Sequence, residues 1–369
     1  MDTKLFTLHS YIENGTLNEE DLQKLEEAAA VLREGGLVAF PTETVYGLGG
    51  NALLKDASKK IYAAKGRPSD NPLIVHISDL SQLEQVAVRI PREARRMAKA
   101  YWPGPLTMIF PKADCIPAET TGGLDTVAVR FPSHPVAMEL IRRAGVPVAA
   151  PSANRSGRPS TTTARHCVED LTGRVDLIVD GGSCPIGLES TILDMSGDRP
   201  RLLRPGAITR EMIAETLGSL PEEDVALKGP LAPGVRPKAP GMKYRHYAPQ
   251  APMVIVTDQS GSGKTADTIL QMIHEKEQEQ PHIRIAVICT EECRRELLQR
   301  GLPAENYILK TFGSRSRKTA IAHNLFELLR EMDEEQAGFI ITEGCSEEDL
   351  GQAVMNRMKK ASAWQVLTI

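Results

Sequence analysis

The chain has 369 residues, of which 41% are hydrophobic and 25% charged, values typical of folded globular proteins of about two domains. Its formal net charge of -4 excludes an overall basic field that would draw the protein onto nucleic acid, although a local basic face stays open. The N-terminal residues have no apolar stretch typical of a signal peptide, and no apolar run approaches the roughly 20 residues of a membrane span. We therefore expect a cytoplasmic protein with reduced cysteines and no membrane partner.

Residues 1–217 alternate helical and strand patterns without a strict strand–helix–strand rhythm. Asn18 predicts the start of the first of seven helices, over 18–35, 54–65, 79–89, 91–101, 133–144, 162–172 and 209–217. Short apolar runs rich in β-branched residues predict strands at LVAF, PLIVHI, TMIFPK, TVAVRFP, PVAAPS, LIVDGG and STILDM. The segment after LVAF predicts a Thr- and Gly-rich loop. We expect an α/β domain on a mixed, twisted sheet.

Residues 218–252 are rich in Pro and Gly and show little periodicity, which predicts a linker. Because Tyr244, His246 and Tyr247 cluster at its end, we expect this segment to fold as a lid over a site in the first domain. Residues 253–369 then alternate strands (MVIVT, IRIAVIC, YILKTF, AGFIITEG) with helices over 264–278, 290–300, 317–332 and 348–359. This pattern predicts a smaller, doubly wound, Rossmann-like α/β domain.

Two loops of the first domain carry residues suited to a phosphate. Lys65 and Arg67 lie two residues apart in KGRPSDNP, where a planar fork of donors and a point charge suit a polyphosphate. The alternative is a solvated basic loop. Ser152 and Asn154 follow the strand PVAAP, where small polar residues allow backbone donors to approach a phosphate or simply cap a helix.

Three polar residues lie at predicted strand ends. Arg130 ends the apolar strand TVAVR and needs an anionic partner, either an amino-acid carboxylate or an internal salt bridge. Ser190 starts a strand and Arg204 ends the next one. Both could line a pocket or close a turn.

The segment SGSGKT at residues 260–265 resembles a phosphate-binding P-loop, since it follows a predicted strand and precedes a predicted helix. That motif requires a glycine five residues before Gly263, and Asp258 occupies the position. A carboxylate is a poor neighbour for a triphosphate. The sequence therefore disfavours nucleotide binding here.

The segments PTETVYGLG, KGRPSDNPLIVHI, WPGPLT, VAVRFP, PSANRSG, ESTI and LRPG occur in this order over residues 15–217 and together resemble the Sua5/YrdC/YciO family. PGMKYRHYAP and the domain after it resemble the two-domain Sua5 subgroup. The resemblance implies a YrdC-like twisted sheet with a large concave cavity and L-threonylcarbamoyladenylate synthase activity. L-threonine, bicarbonate and ATP, with Mg2+, would give L-threonylcarbamoyl-AMP and pyrophosphate. A downstream transferase complex would then modify adenosine 37 of ANN-decoding tRNAs.

The resemblance also implies the site residues. Those expected around threonine are Thr44, His76, Arg130, Ala150 and Ser190. Those expected around ATP are Arg67, Asn71, Thr126, Ser152, Asn154, Ser160, Arg204 and Tyr247. Lys65 and Arg67 are expected to act at the phosphates, with no protein ligand for a metal and no evident general base. A different class stays open, a non-catalytic RNA-binding module associated with tRNA or the ribosome, and weak RNA binding is compatible with either.

Overall fold

The structure is a computed structural model that describes residues 2–227, 229, 237–242, 246–258 and 260–369. The chain divides into a first unit, residues 1–156 and 160–244, and a second unit, residues 157–159 and 245–369. The expected limits of the two domains and the linker, 217 and 253, stay a prediction. Parts of the expected lid, residues 228, 230–236 and 243–245 with Tyr244, lie outside the described residues.

The first unit contains the following elements in chain order: β1 (Lys4–Thr7), α1 (His9–Asn14), α2 (Glu19–Arg33), β2 (Val38–Phe40), β3 (Gly47–Asn51), α3 (Lys55–Lys65), β4 (Ile74–His76), α4 (Leu80–Val86), α5 (Arg92–Tyr101), β5 (Leu106–Pro111), β6 (Thr126–Arg130), α6 (Pro135–Ala144), β7 (Val148–Ala149), α7 (Ala164–Leu171), β8 (Leu177–Asp180), β9 (Thr191–Asp194), β10 (Arg201–Arg204), α8 (Arg210–Leu217) and β11 (Glu222–Glu223). A 3-10 turn follows at Val225–Leu227.

The strands of the first unit form an 11-stranded sheet in the order β1-β8-β2-β3-β7-β4-β6-β5-β9-β10-β11. The sheet contains parallel pairs, such as β4 with β6, and antiparallel pairs, such as β6 with β5, so the expected mixed sheet is confirmed. Successive side chains of a strand point to opposite faces. In β2, Ala39 accordingly packs into one hydrophobic core while Val38 and Phe40 pack into another. The sheet is therefore buried on both faces around its centre.

All seven helices expected in the first unit are present, and none of their ends is shifted by more than three residues. Asn18 caps α2 as expected, because its side chain accepts a hydrogen bond from the Asp21 amide. The expected loop after LVAF is wrong in part, since residues Gly47–Asn51 form the buried strand β3. A Cβ at Gly49 would lie 2.7 Å from the Phe40 ring and 2.9 Å from Val148. Glycine is used here because the neighbouring side chains leave no room, and this reason is invisible to strand propensity.

The second unit contains β12 (Met253–Thr257), α9 (Thr265–Glu279), β13 (Ile285–Cys289), α10 (Glu291–Gln299), β14 (Ile308–Thr311), α11 (Lys318–Glu334), β15 (Phe339–Glu343), α12 (Leu350–Ala361) and β16 (Val366–Thr368), with a 3-10 turn at Ala304–Asn306. Its five-stranded sheet has the order β14-β13-β15-β12-β16 and is parallel throughout. The expected doubly wound domain is confirmed, and β16 adds an edge strand that the sequence patterns did not indicate. No helix in the described parts of either unit is long and apolar enough to cross a membrane.

Candidate functional site

Three of the residues expected to bind threonine meet at neighbouring strands of the first unit. His76 ends β4 and Arg130 ends β6, and the two are register partners in adjacent parallel strands. The Ala150 amide donates a hydrogen bond of 2.8 Å to the carbonyl of Ile74, two residues before His76. All three expected residues are buried. The sheet thus gathers His76, Arg130 and Ala150 from segments that are 54 and 20 residues apart in the sequence (130 − 76 and 150 − 130).

The buried ring of His76 is neutral at physiological pH. Burial, assisted by the positive charge of Arg130, lowers the pKa of His76 to about 3. Its Nδ1 lies 3.1 Å from the Ile74 carbonyl oxygen, which favours a proton on that nitrogen. Nε2 is then an acceptor that can receive a hydrogen bond from a hydroxyl group.

Arg130 faces the loop that follows β2. Its Nη2 lies 2.8 Å from Glu43 Oε1 and 3.4 Å from the hydroxyl of Thr42. The hydroxyl of Thr42 lies 2.9 Å from that of Thr44, which joins a fourth expected residue to the group. The internal salt bridge considered from the sequence is therefore present. However, Arg130 Nε has no acceptor among the described residues, so the guanidinium can still bind a further anion.

Ser190 and Arg204 contact each other directly. Arg204 Nε donates to the Ser190 carbonyl at 3.0 Å, and Nη2 donates to the Ser190 hydroxyl at 3.1 Å. The Ser190 hydroxyl also lies 2.7 Å from that of Thr107, which is the register partner of Arg130 in β5. Ser190 therefore joins the residues that are expected to surround threonine. Arg204, which is expected at ATP, lies beside Ser190.

The two expected phosphate loops are connected through Lys65. Its buried ammonium donates to the carbonyl of Ser152 at 2.5 Å and to that of Asn154. The Ser152 hydroxyl donates to Asn154 Oδ1 at 2.5 Å. Lys65 thus closes the loop at residues 152–154 with a buried positive charge, although the two segments lie 87 residues apart in the sequence.

Arg67, Asn71 and Thr126 lie near the amino ends of β4 and β6. The Arg67 guanidinium donates to the carbonyls of Asn71 at 3.3 Å and Pro72 at 3.1 Å. Continuing the register of β4 and β6 places Pro72 beside Thr126. Asn71 is buried, and its Oδ1 has no hydrogen-bond donor within the described chain. Thr126 precedes Arg130 by four residues, which separates the two ends of the strand by about 13 Å.

Ser160 and Tyr247 are the remaining residues expected at ATP, and they belong to different units. The buried hydroxyl of Ser160 donates to Glu189, which precedes Ser190. Tyr247 belongs to the second unit, where its ring stacks on Phe326 at a centroid distance of 5.1 Å. Its φ of 65° is uncommon for a residue other than glycine. The assignment of Tyr247 to the ATP site stays a prediction.

Sequence reasoning missed several polar residues of this group, namely Thr42, Glu43, Thr107 and Glu189. It also missed the buried His134, whose pKa burial lowers and the charges of Glu43 and Arg130 shift in opposite directions. A signal existed for Glu43, because a carboxylate three residues after the apolar strand LVAF is costly to bury without a function. Thr107 and His134 carry no such signal, since their roles depend on strand register and on packing between distant segments.

The P-loop-like segment of the second unit is closed by its own carboxylate. Asp258 accepts hydrogen bonds from the amides of Ser262 at 3.0 Å and Gly263 at 2.8 Å, and from the hydroxyls of Ser260 and Ser262. Partial desolvation opposes ionisation of Asp258, but these hydrogen bonds lower its pKa to about 2. Two of the amide donors that would cradle a phosphate are thus already used by Asp258.

Two family models match the chain, one described as "Telomere recombination" over residues 30–206 and one described as "Threonylcarbamoyl-AMP synthase, C-terminal domain" over residues 208–363. The threonylcarbamoyl-AMP synthase of Bacillus subtilis is 47% identical over 345 residues, 93% of this chain and 94% of the relative. That of Pyrococcus abyssi is 44% identical over 346 residues, 94% of this chain and 96% of the relative. The crystal structure of P. abyssi Sua5 complexed with L-threonine matches with a TM-score of 0.88 and 42% identity over 100% of both chains.

Proposed function

We propose that this chain, which belongs to the Sua5 family of threonylcarbamoyl-AMP synthases, converts L-threonine, bicarbonate and ATP into L-threonylcarbamoyl-AMP and pyrophosphate. The observation that carries the proposal is the buried group around Arg130 and His76. A guanidinium with an unused Nε beside a neutral imidazole offers a donor for a carboxylate and an acceptor for a hydroxyl. L-threonine carries both groups, and a relative of this chain has been crystallised with it.

The two ends of β4 and β6 suit the two halves of the reaction. His76 and Arg130 at the carboxyl ends would hold threonine, with Thr44, Ala150 and Ser190 around it. Arg67, Asn71, Thr126, Ser152 and Asn154 would hold ATP, joined by Ser160 and Arg204. The separation of about 13 Å along the strand is comparable with the length of a bound adenylate intermediate, so both substrates would share one site.

The chemistry requires little covalent work from the protein. The threonine amine joins bicarbonate with loss of water to give a carbamate, and a carbamate oxygen attacks the α-phosphorus of ATP as pyrophosphate leaves. We assign Lys65 and Arg67 the role of positioning the phosphates and stabilising negative charge on them, the contributions that dominate phosphoryl transfer. Lys65 would do so partly by fixing the loop at residues 152–154. This chemistry makes the enzyme a nucleotidyltransferase.

We propose that Mg2+ enters with ATP rather than on a protein site. Across the described ranges, no group of three or more His, Cys, Asp or Glu side chains is arranged to hold a metal ion. Magnesium commonly keeps several waters and binds through substrate phosphates, which agrees with this donor set. When bound, it would neutralise phosphate charge.

The product is an activated adenylate, so its use requires an acceptor. We propose that a downstream transferase complex takes the threonylcarbamoyl group to adenosine 37 of ANN-decoding tRNAs in the cytoplasm. We also retain Tyr247 and the segment 218–252 as an ATP-contacting lid that would protect the adenylate from water. Replacing Tyr247 with Ala should then raise the KM for ATP, and an unchanged KM would remove Tyr247 from the site.

The decisive experiment incubates the protein with ATP, L-threonine and labelled bicarbonate and separates the products. We expect labelled threonylcarbamoyl-AMP and an equal amount of pyrophosphate, both abolished when threonine or bicarbonate is omitted. Pyrophosphate release that is independent of threonine would contradict the proposal. RNA binding without any labelled adenylate would favour the non-catalytic module.

A further inference from the structure

Glu43 is a buried carboxylate with unused hydrogen-bonding capacity. It is 6% exposed, and neither of its carboxylate oxygens accepts a hydrogen bond from any residue in the described part of the chain. Its ion pair places Arg130 Nη2 2.8 Å from Oε1, but the N–H bonds are not directed at that oxygen. A carboxylate offers about four acceptor sites, and leaving them empty in the interior is unfavourable.

The surroundings of Glu43 contain further unsatisfied atoms. Within the described ranges, Arg130 Nε has no acceptor and His134 Nδ1 has no partner. Burial lowers the pKa of His134 to about 4, with opposing effects from Glu43 and Arg130. Burial also raises the pKa of the Cys184 thiol, and the negative charge of Glu43 adds to this rise. Both groups are thus neutral at physiological pH. The charges in this cluster are those of Glu43 and Arg130.

An unsatisfied anion beside an unsatisfied cation matches a zwitterion. An α-amino acid carries an ammonium and a carboxylate on one carbon, so it can donate to Glu43 and accept from Arg130 Nε at the same time. A free anion would complete only the guanidinium, and a simple cation only the carboxylate. The zwitterion is therefore the ligand class that satisfies both groups.

We propose that Glu43 binds the α-amino group of threonine and thereby selects amino acids over hydroxy acids. The inference rests on the proposed function, which supplies threonine as the amino acid. The contact also places the nitrogen that must join bicarbonate, while Arg130 fixes the carboxylate on the same carbon. A neutral amine still has two N–H donors, so Glu43 can hold the nitrogen after its proton has left.

The test compares two ligands on two proteins. L-threonine and (R)-3-hydroxybutyrate, the same molecule without its amino group, are titrated by calorimetry into the wild type and into Glu43→Gln without ATP. We expect Glu43→Gln to weaken threonine binding about 10- to 100-fold, the effect of one charge-assisted hydrogen bond, without weakening hydroxybutyrate binding. If Glu43 only supported Arg130, both ligands would lose the same factor, and that result overturns the inference.

Asp194→Asn is the matched control. Asp194 is 5% exposed and lies in the same unit, but Ser196 and Lys238 already use its carboxylate. We expect its threonine affinity to equal that of the wild type. Should Glu43→Gln unfold, Glu43→Asp gives the same comparison with a smaller loss, about fivefold for threonine alone. A wild type that binds no threonine overturns the proposed function, whereas threonine binding that Glu43 variants leave unchanged overturns this inference alone.

Discussion

Two loops of this molecule carry small polar residues after a strand, and both could be taken for phosphate sites. The loop at residues 152–154 in the first unit is closed by the ammonium of Lys65, which donates to the carbonyls of Ser152 and Asn154. The loop at residues 260–264 in the second unit is closed by the carboxylate of Asp258, which accepts from the amides of Ser262 and Gly263. The first loop is built around a cation and the second around an anion.

For phosphate binding, the charge that closes a loop therefore matters more than the spacing of its glycines. A phosphate adds about two negative charges, which a buried ammonium favours and a carboxylate already bonded to the amides opposes. The two units also differ in how far the hydrogen-bonding capacity of their polar residues is used. Asn71 and Arg130 keep buried polar atoms without partners among the described residues, whereas the donors of the second loop are used internally.

Removing the cation of the first loop should give the largest effect. Lys65→Met keeps most of the length of the side chain but loses two charge-assisted hydrogen bonds, each of about 1.5–3 kcal/mol. We expect threonine-dependent pyrophosphate release to fall about a thousandfold, with a lower melting temperature. Activity within tenfold of the wild type would contradict the role assigned to Lys65.

A second change leaves the loop closed but removes a donor beside it. Arg67→Ala deletes a half-buried guanidinium that spans the carbonyls of Asn71 and Pro72. We expect kcat/KM for ATP to fall about a hundredfold, because Arg67 is assigned to the phosphates. Calorimetric threonine binding serves as the control and should persist. An ATP dependence equal to that of the wild type would remove Arg67 from the site.

Mild acid should destabilise the first unit more than the second. His76 and His134 have folded pKa values of about 3 and 4, below the 6.5 of an unfolded histidine. Between these values the unfolded state binds more protons than the folded state, so the stability of the first unit falls as the pH is lowered. From pH 7 to 5 we expect the first unit to lose about 2 kcal/mol per histidine. The carboxylate of Asp258, with a pKa of about 2, stays ionised over this range.

Each unit contains one tryptophan, Trp102 in the first and Trp364 in the second, which provides the readout. Unfolding of Trp364→Phe is followed by the fluorescence of Trp102, and unfolding of Trp102→Phe by that of Trp364. Between pH 7 and 5, the unfolding midpoint reported by Trp102 in the first unit should shift strongly. The midpoint reported by Trp364 in the second unit should shift much less. Equal shifts would show that the buried histidines do not set the acid sensitivity.

Substitutions in the loop at residues 260–264 and at Asp258 should have the smallest effects on activity. Lys264→Ala should leave activity and ATP affinity unchanged, because Asp258 already uses the amides that a phosphate would need. Asp258→Asn should lower the unfolding temperature of the second unit slightly and leave synthesis unaltered. Loss of nucleotide binding in Lys264→Ala would restore the P-loop interpretation and break the contrast between the loops.

The sequence predicted elements well where local chemistry decides them. Asn18 as a helix cap and the uninterrupted apolar runs of the second unit are local signals, and the corresponding helix and strands are present. β3 was missed because its glycines are required by distant neighbours rather than by local propensity. β1 was missed because only its pairing with β8, more than 170 residues later, defines it as a strand.

The site residues also divide into those that local sequence shows and those that only long-range packing shows. Arg130 stands out in the sequence because a charge at the end of an apolar strand needs a partner. Lys65 stands out because it lies two residues from Arg67 in a loop suited to a polyphosphate. Which partners they take depends on long-range packing, as with Lys65 and the carbonyl of Ser152, 87 residues away. Glu43 was passed over because it lies among Pro and Thr residues that indicate an ordinary turn. Its isolation from hydrogen-bond donors exists only in three dimensions.

The narrow space at Gly49 bears on how this chain can vary over evolution. Even one added methyl group would overlap the Phe40 ring and Val148, and both belong to the core behind the strands that carry the site. A deep mutational scan should therefore find this residue, which has no side chain, among the least replaceable of its strand. Any tolerated substitution there should be accompanied by a smaller residue at position 40 or 148.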